Sequence, residues 1–167
     1  MGFIQALQDI FTGPVIAFMG AALAATVAGI GSARAVGFVG EAAAGVLTQD
    51  PSQFGRVLIL QALPGTQGIY GLLTWFMVMM QGGFLAGNTA DISVAQGWMF
   101  FMACLPIMFV GYFSAVYQGK VSAAGVALVA KRPEEMTKAL VQAVMVETYA
   151  ILALLASVLT ILSINVG

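Results

Sequence analysis

Glu147 is the one charged residue between positions 139 and 167, where it interrupts the apolar stretch VMVETYAIL. An ionised carboxylate in apolar surroundings is strongly unfavourable unless a partner neutralises it. Such a carboxylate either pairs with a neighbouring helix in a structural role, or binds a proton or a cation. We therefore treat Glu147 as the leading candidate for function.

Three further oxygen-bearing side chains, those of Thr66, Gln67 and Gln118, also lie inside apolar stretches. Thr66, Gln118 and Glu147 each lie 12 residues from the nearer short turn and Gln67 lies 13 residues from it, which is about 18 Å along a helix. Each polar side chain alone could serve as an interhelical hydrogen bond. Their shared depth favours a cation site, because carboxylate, hydroxyl and amide oxygens are hard ligands that suit an alkali cation better than a soft transition metal.

The segment LPGTQGIYG, residues 63–71, predicts a break in its helix. Pro64 has no N–H and removes the hydrogen bond to the Leu60 carbonyl, while Gly65 permits close approach of backbone or ligand. Interrupted helices at bilayer depth often line binding cavities, and their carbonyls coordinate ions.

The composition is that of a membrane protein: 60% of the 167 residues are hydrophobic and 8% are charged. Histidine is absent and Cys104 is the single cysteine, which excludes His/Cys metal sites and a disulfide framework. The net charge of −1 gives no reason to expect nucleic acid.

No phosphate-binding loop is present, so we expect no catalysis by this chain. No basic residue precedes the first apolar stretch, so we expect that stretch to remain in the mature protein.

The long apolar runs predict an all-α membrane protein, because about 20 apolar residues cross a bilayer as a helix. We expect four transmembrane helices, at about 11–47, 54–81, 93–130 and 136–163.

Two short loops, 48–54 and 131–137, join these helices in pairs, and the third connection is the polar, glycine-rich stretch 82–91. The basic residues near the short loops are Arg56, Lys131, Arg132 and Lys138. By the positive-inside rule these loops are cytoplasmic and both termini lie outside.

An internal repeat with an offset of 82 residues relates the two halves. Pro51 pairs with Pro133, and 12 of the 45 pairs beginning at residues 29 to 73 are identical. The sequence therefore predicts two tandem-duplicated helical hairpins, 1–83 and 84–167. Glu147 corresponds to Gly65, so only the second hairpin carries the acid.

The first and third predicted helices are rich in small residues, in GIGSARAVGFVGEAAAG (29–45) and GYFSAVYQGKVSAAG (111–125). Small residues let helix backbones approach closely, so we expect these two helices to form an inner layer. Four helices leave no room for a pore, whereas many copies side by side would form a homo-oligomeric ring.

These motifs resemble those of the membrane-rotor proteolipid of V-type ATPases over nearly the whole chain. LPGTQGIYG followed by MVETYAIL is the most specific part of the match, supported by GIGSA, GEAAAG and QGKVSAAG. The resemblance implies a ring of identical subunits that turns against a stator with an essential arginine. It also implies contact of the cytoplasmic loops 48–54 and 131–137 with central-stalk subunits.

Within that family the chain is similar to the sodium-translocating bacterial type, which implies a bacterial plasma membrane. The similarity implies a Na⁺ site in this chain. It also implies that Tyr70 holds Glu147 in the closed position. The implied ligands are the Leu63 backbone carbonyl, the Thr66 hydroxyl, the Gln67 and Gln118 side chains and the Glu147 carboxylate. Proline geometry frees the Leu60 carbonyl most directly, whereas the family places the coordinating carbonyl at Leu63.

Arg34, Glu41 and Lys120 lie within the two inner helices. We expect them to face the central hole of the ring and to meet anionic lipid head groups or each other. The competing interpretation is an Arg34–Glu147 ion pair inside one subunit.

Two alternatives to a sodium rotor remain at this point. The same ring could carry H⁺, with the amides and the hydroxyl binding water or each other. The second alternative is a small secondary transporter or channel built from two hairpins. A chain with a single buried acid fits that function poorly.

Overall fold

A computed structural model describes Gly2, Gln5, residues 10–87 and residues 92–166, and all regular structure in this part of the chain is helical. The all-α prediction is thereby confirmed. Residues 88–91 of the predicted third connection lie outside the described residues. The long helices are α1 (Gly13–Leu47), α2 (Phe54–Ala62), α3 (Thr66–Gln81), α4 (Val94–Lys131) and α5 (Met136–Ser163).

The second predicted transmembrane helix is divided in two. A 3-10 turn, Leu63–Gly65, separates α2 from α3 at the position of Pro64. The residues on both sides keep right-handed helical dihedral angles, so the chain continues in a helical path through the turn. As a result, only three helical segments in the described ranges are long and apolar enough to cross a membrane without interruption: Gly13–Leu47, Val94–Lys131 and Pro133–Ser163.

The helix ends are fixed by local polar contacts. Ser93 and Gln96 form a reciprocal capping box at the start of α4. In the loop between α1 and α2, Asp50 accepts hydrogen bonds from the Ser52 hydroxyl at 2.6 Å, the Ser52 N–H at 3.0 Å and the Gln53 amide at 3.1 Å. These bonds, with that from the Ser52 side chain the strongest, hold the pKa of Asp50 below its ordinary value of 3.8. At the start of α5, Lys138 instead forms an ion pair of 2.5 Å with Glu135, the residue just before the helix.

Helices α1 and α4 lie in backbone contact along their length. A Cβ added at Gly20 would fall 2.6 Å from the Phe101 Cα, and one added at Gly31 would fall 2.8 Å from the Tyr112 Cα. The same close approach recurs where Gly119 faces Ala35. Small residues at these positions are what allow the two helices to pack so tightly.

Around the α1–α4 pair, α3 packs against α1 and α5 packs against α4. Two apolar clusters fill the interior. The first cluster includes Phe100, near the start of α4, and Ile161, near the end of α5. The second cluster includes Leu60 and Val126 and lies nearer the short loops. Between the two clusters lies a layer of buried polar side chains.

Candidate functional site

The buried polar layer contains three of the residues proposed from depth. Gln67 and Gln118 are fully buried, and Glu147 is only 8% exposed. Gln67 lies in the first turn of α3, directly after the proline turn, whereas Gln118 and Glu147 lie inside the unbroken helices α4 and α5. Three separate helices therefore bring polar groups to one level.

A chain of hydrogen bonds connects these side chains. The Tyr70 hydroxyl donates to Glu147 Oε1 at 2.6 Å, and Gln118 Nε2 donates to Glu147 Oε2 at 3.3 Å. Gln67 Nε2 in turn donates to Gln118 Oε1 at 2.5 Å. Both carboxylate oxygens of Glu147 thus accept hydrogen bonds from other elements of the fold.

Thr66 and Leu63 form a second, smaller contact beside this chain. The Thr66 hydroxyl donates to the Leu63 carbonyl oxygen at 3.0 Å, and the Thr66 N–H donates to the same oxygen. Among the described residues, no hydrogen bond joins this pair to Glu147. Pro64 is buried in the turn between them, and a Cβ at Gly65 would meet only Val36 Cγ2, at 3.8 Å.

Among the described residues, Gln67 carries the one buried polar atom of the site that lacks a hydrogen-bond partner. Its Oε1 is buried and has no hydrogen-bond partner within the described part of the chain. Buried polar atoms are nearly always paired, and an unpaired one is unfavourable by about 1–3 kcal/mol. An unpaired amide oxygen near a buried carboxylate is an acceptor that a cation could use.

The donor set also limits the charge of a bound ion. No group of three or more His, Cys, Asp or Glu residues comes together in residues 10–87 and 92–166. One carboxylate with neutral amide and hydroxyl oxygens offsets one positive charge, which suits a monovalent cation or a proton.

The polar layer also contains two serines, Ser32 and Ser114, which residue types and depth alone did not identify. The Ser32 hydroxyl on α1 accepts from the Gly68 N–H at 2.8 Å. Ser114 on α4 donates to the Val146 carbonyl at 3.0 Å and accepts from Gln67 Nε2 at 3.5 Å. The two serines are partners in the 82-residue repeat, and Ser114 lies one helical turn from Gln118, which are the signals that could have identified them.

The charged residues of the inner helices lie away from Glu147. Arg34 is exposed and donates to the Tyr112 hydroxyl at 2.6 Å. Lys120 Nζ lies 5.1 Å from the centre of the Tyr117 ring, and Glu41 is exposed. The Arg34–Glu147 ion pair considered from the sequence is not formed, because the guanidinium of Arg34 is directed to Tyr112 instead.

The model of the family of ATP synthase C subunits matches the chain twice, at residues 19–78 and 101–160. The chain belongs to the ATP synthase C-subunit family. Both ends of the second match follow those of the first by 82 residues, so the tandem duplication is confirmed. The limits of the two hairpins at residues 83 and 84 remain a prediction.

Two named relatives agree with the assignment to the ATP synthase C-subunit family. The V-type sodium ATPase subunit K of Enterococcus hirae is 49% identical over 90% of this chain and 93% of its own length. The A-type ATP synthase subunit K of Methanocaldococcus jannaschii is 34% identical over 92% of this chain and 64% of its own length. The resemblance to the V-type ATPase proteolipid is confirmed by the first relative.

Proposed function

We propose that the chain is the rotor-ring subunit of a V-type rotary ATPase and that it carries Na⁺ at Glu147. The observation that supports this function most directly is the buried Glu147–Gln118–Gln67 chain, in which Gln67 Oε1 has no partner among the described residues. The name of the Enterococcus hirae relative, a sodium ATPase subunit, supports the choice of ion. In this proposal Gln67, Gln118, Thr66 and the Leu63 carbonyl are Na⁺ ligands together with Glu147.

The two amides let the site respond to the ion. A glutamine side chain presents either its NH₂ or its oxygen to a neighbour, and the two ends are nearly identical in shape. Gln118 donates N–H to a bare Glu147 carboxylate, as in the hydrogen bond of 3.3 Å. A half-turn of the amide directs Oε1 to a bound cation instead, so Gln118 stabilises both the ionised and the loaded carboxylate.

Thr66 and Tyr70 have different roles in this proposal. The Leu63 carbonyl accepts from both the hydroxyl and the N–H of Thr66, so in this proposal the Thr66 hydroxyl hydrogen turns away when the ion binds and frees one lone pair of the carbonyl. Tyr70 holds Glu147 through the bond of 2.6 Å and keeps the carboxylate turned inwards.

The coupling of ion movement to rotation follows from charge. A bare carboxylate that faces lipid is strongly unfavourable, whereas a carboxylate neutralised by Na⁺ passes through the bilayer. A fixed arginine on the stator favours the ionised carboxylate and releases the ion at that point. Each charge that crosses also gains or loses about 2.3 kcal/mol per 100 mV of membrane potential.

We place the ring in a bacterial plasma membrane, with the loops 48–54 and 131–137 cytoplasmic and in contact with central-stalk subunits. Both termini then lie outside. ATP hydrolysis belongs to other subunits of the complex. Arg34, Glu41 and Lys120 line the central hole, where the exposed guanidinium of Arg34 would meet anionic lipid head groups.

The experiment that tests the function is the rate at which dicyclohexylcarbodiimide modifies Glu147 in detergent-purified protein. The rate is measured across pH with millimolar Na⁺, with K⁺ as the control, and without added salt. We expect Na⁺ to slow labelling strongly and K⁺ to leave it unchanged, because Na⁺ displaces the proton that the reagent requires. No Na⁺ effect at any pH would overturn the sodium assignment and indicate a ring that carries H⁺.

A further inference from the structure

Ser122 on α4 has a hydroxyl that the site described above does not use. The side chain is fully buried, and its Oγ has no hydrogen-bond partner within residues 10–87 and 92–166. Ser114, Gln118 and Ser122 follow one another at intervals of four residues, so they form one stripe along α4. The first two are hydrogen-bonded to Gln67 of α3, and Ser122 continues the stripe towards the short loops.

The helix register places Ser122 opposite the 3-10 turn that separates α2 from α3. Gln67 is hydrogen-bonded to Gln118, and Leu60 Cδ1 lies 3.6 Å from the position of a Cβ added at Gly125. These two contacts are seven residues apart on both sides, so α4 runs antiparallel to α2 and α3 with a constant register. Ser122 is three residues before Gly125 and therefore lies at the level of the turn.

The side chains of Ser122 and Gln67 lean towards each other. Helical side chains are tilted towards the N-terminus of their own helix. Because the helices are antiparallel, the Ser122 hydroxyl is tilted towards the level of Gln118, and the Gln67 amide is tilted towards the turn. Ser122 Oγ and Gln67 Oε1, both without a partner in the described part of the chain, are thus directed into one region.

The turn adds a backbone acceptor to this region. A helix carbonyl points to the N–H four residues later, and Pro64 has no N–H to offer the Leu60 carbonyl. Leu60 and Pro64 are both buried, so this carbonyl lies on a buried face of its helix. The packing beside the turn leaves space, because a Cβ added at Gly65 would meet only Val36 Cγ2, at 3.8 Å.

We propose that the Ser122 hydroxyl, the Leu60 carbonyl and Gln67 Oε1 bind one water molecule, and that this water is a sixth oxygen ligand of the ion at Glu147. The inference rests on the proposed function, because it adds a ligand to the same site. Buried waters typically form about three hydrogen bonds to polar groups that otherwise have none. The groups match a water, whose two hydrogens go to the two carbonyl-type oxygens while one lone pair accepts from the hydroxyl.

The remaining lone pair of the water is available to the cation. An amide oxygen has two lone pairs, so Gln67 Oε1 accepts from the water and also binds the ion. In the empty site the water keeps Gln67 Oε1 and the Leu60 carbonyl hydrogen-bonded. In the loaded site it replaces one water of the ion's hydration shell, on the side of the short loops. A proton on the Glu147 carboxyl needs no such ligand, so the water favours Na⁺ over H⁺.

The direct test is a structure of the purified full-length ring by electron cryo-microscopy, at a resolution that shows ordered waters, with and without Na⁺. We expect density about 2.7–3.2 Å from Ser122 Oγ, the Leu60 carbonyl oxygen and Gln67 Oε1 in both states. A Ser122 hydroxyl bonded to the Gln118 carbonyl of its own helix, with no density beside it, would overturn the proposal.

The functional test uses Ser122→Ala in detergent-purified full-length protein. The Na⁺ concentration that half-protects Glu147 from dicyclohexylcarbodiimide should rise about 3–10-fold, because the ligand water loses one hydrogen bond. The pH of half-maximal labelling without Na⁺ should equal that of the unmodified protein, because protonation does not use the water. A general disturbance of the packing would change both quantities and would contradict the proposed role.

Ser157→Ala is the matched control. This serine of α5 is also fully buried, but its Oγ accepts from the Ile107 N–H at 3.3 Å. It lies ten residues from Glu147, which is about 15 Å along the helix. We expect unchanged Na⁺ protection in this variant. An equal loss of protection in Ser157→Ala and Ser122→Ala would show that any buried serine has the same effect, and the specific role of Ser122 would fail.

The outcomes separate this inference from the proposed function. Normal Na⁺ protection in Ser122→Ala, in a protein that Na⁺ does protect, would overturn only the role of the water as a ligand. If Na⁺ does not protect Glu147 in the unmodified protein, the sodium assignment and the ligand role both fail. The density beside Ser122 in the Na⁺-free ring then decides whether the water itself is bound.

Discussion

The two hairpins derive from one repeat, yet they differ most at a single level of the molecule. The first has Val36, Pro64 and Gly65 where the second has Gln118, Val146 and Glu147. At this level the first hairpin has an interrupted helix and no charged residue, while the second has a continuous helix and the acid. Each hairpin contributes what the other lacks, because Tyr70 and Gln67 of the first complete the hydrogen bonds of the second.

The serine pair shows how the helix break changes a contact that the repeat preserved. Ser32 accepts from the Gly68 N–H, which is one of the unpaired donors in the first turn of α3. Ser114, its equivalent, donates to the Val146 carbonyl, because α5 is unbroken and its N–H groups are already used. Towards the later helix of its own hairpin, the serine is thus an acceptor at Ser32 and a donor at Ser114.

The largest expected effect is loss of the acid itself. Glu147→Gln should abolish dicyclohexylcarbodiimide labelling and Na⁺ transport by the assembled complex, since no other acid of the described residues lies at this level. Adding Gly65→Glu to that variant should not restore transport, because Val36 stands where Gln118 would have to donate. Transport by the double variant would show that the two hairpins are interchangeable.

Gln118→Leu removes the amide that links Glu147 to Gln67. A hydrogen bond to a charged group contributes about 1.5–3 kcal/mol, so we expect the Na⁺ concentration that half-protects Glu147 to rise about 10–100-fold. Val36→Leu, at the equivalent position of the first hairpin, is the control and should leave protection unchanged. Equal effects of the two substitutions would mean that packing, not the amide, determines affinity.

The serine pair gives a smaller contrast, in stability. Ser32→Ala leaves the Gly68 N–H without a partner and should destabilise the protein by about 1–3 kcal/mol. Ser114→Ala should have a smaller effect, because the Val146 carbonyl remains bonded within α5. Thermal unfolding in detergent at fixed protein concentration measures both, and a reversed order would argue against the different roles of the two serines.

The smallest effect concerns the short loop 48–54, which contains Asp50. The pKa of Asp50 is lowered by its hydrogen bonds, so its contribution to stability is present above the ordinary value of 3.8 and is lost as pH falls below it. Asp50→Ala should lower the Tm slightly at neutral pH and have no effect near pH 2. A Tm difference that persists at the lower pH would show that the contact does not depend on the charge.

Much of the helical framework could be predicted from the sequence. The predicted helices 11–47, 93–130 and 136–163 end within two residues of α1, α4 and α5, because charged and turn-forming residues interrupt the apolar runs so sharply.

The candidate site could be predicted only in part. Counting residues from the turns placed Gln67, Gln118 and Glu147 at one depth, and the structure joins them by hydrogen bonds. The count could not show that the Thr66 hydroxyl turns back to the Leu63 carbonyl, since that depends on a side-chain rotamer set by local backbone geometry. Ser32 was not expected to contribute, because a serine among glycines and alanines looks like one more small packing residue.

The glycine contacts between α1 and α4 also have a mechanical consequence. Where backbone touches backbone, as at Gly20 and Gly31, few flexible side chains lie between the helices to absorb shear. We expect α1 and α4 to behave as one rigid unit that transmits torque from the loops without twisting. The most flexible point of the subunit is then the 3-10 turn Leu63–Gly65, so elastic strain under load should concentrate within one helical turn of Gln67.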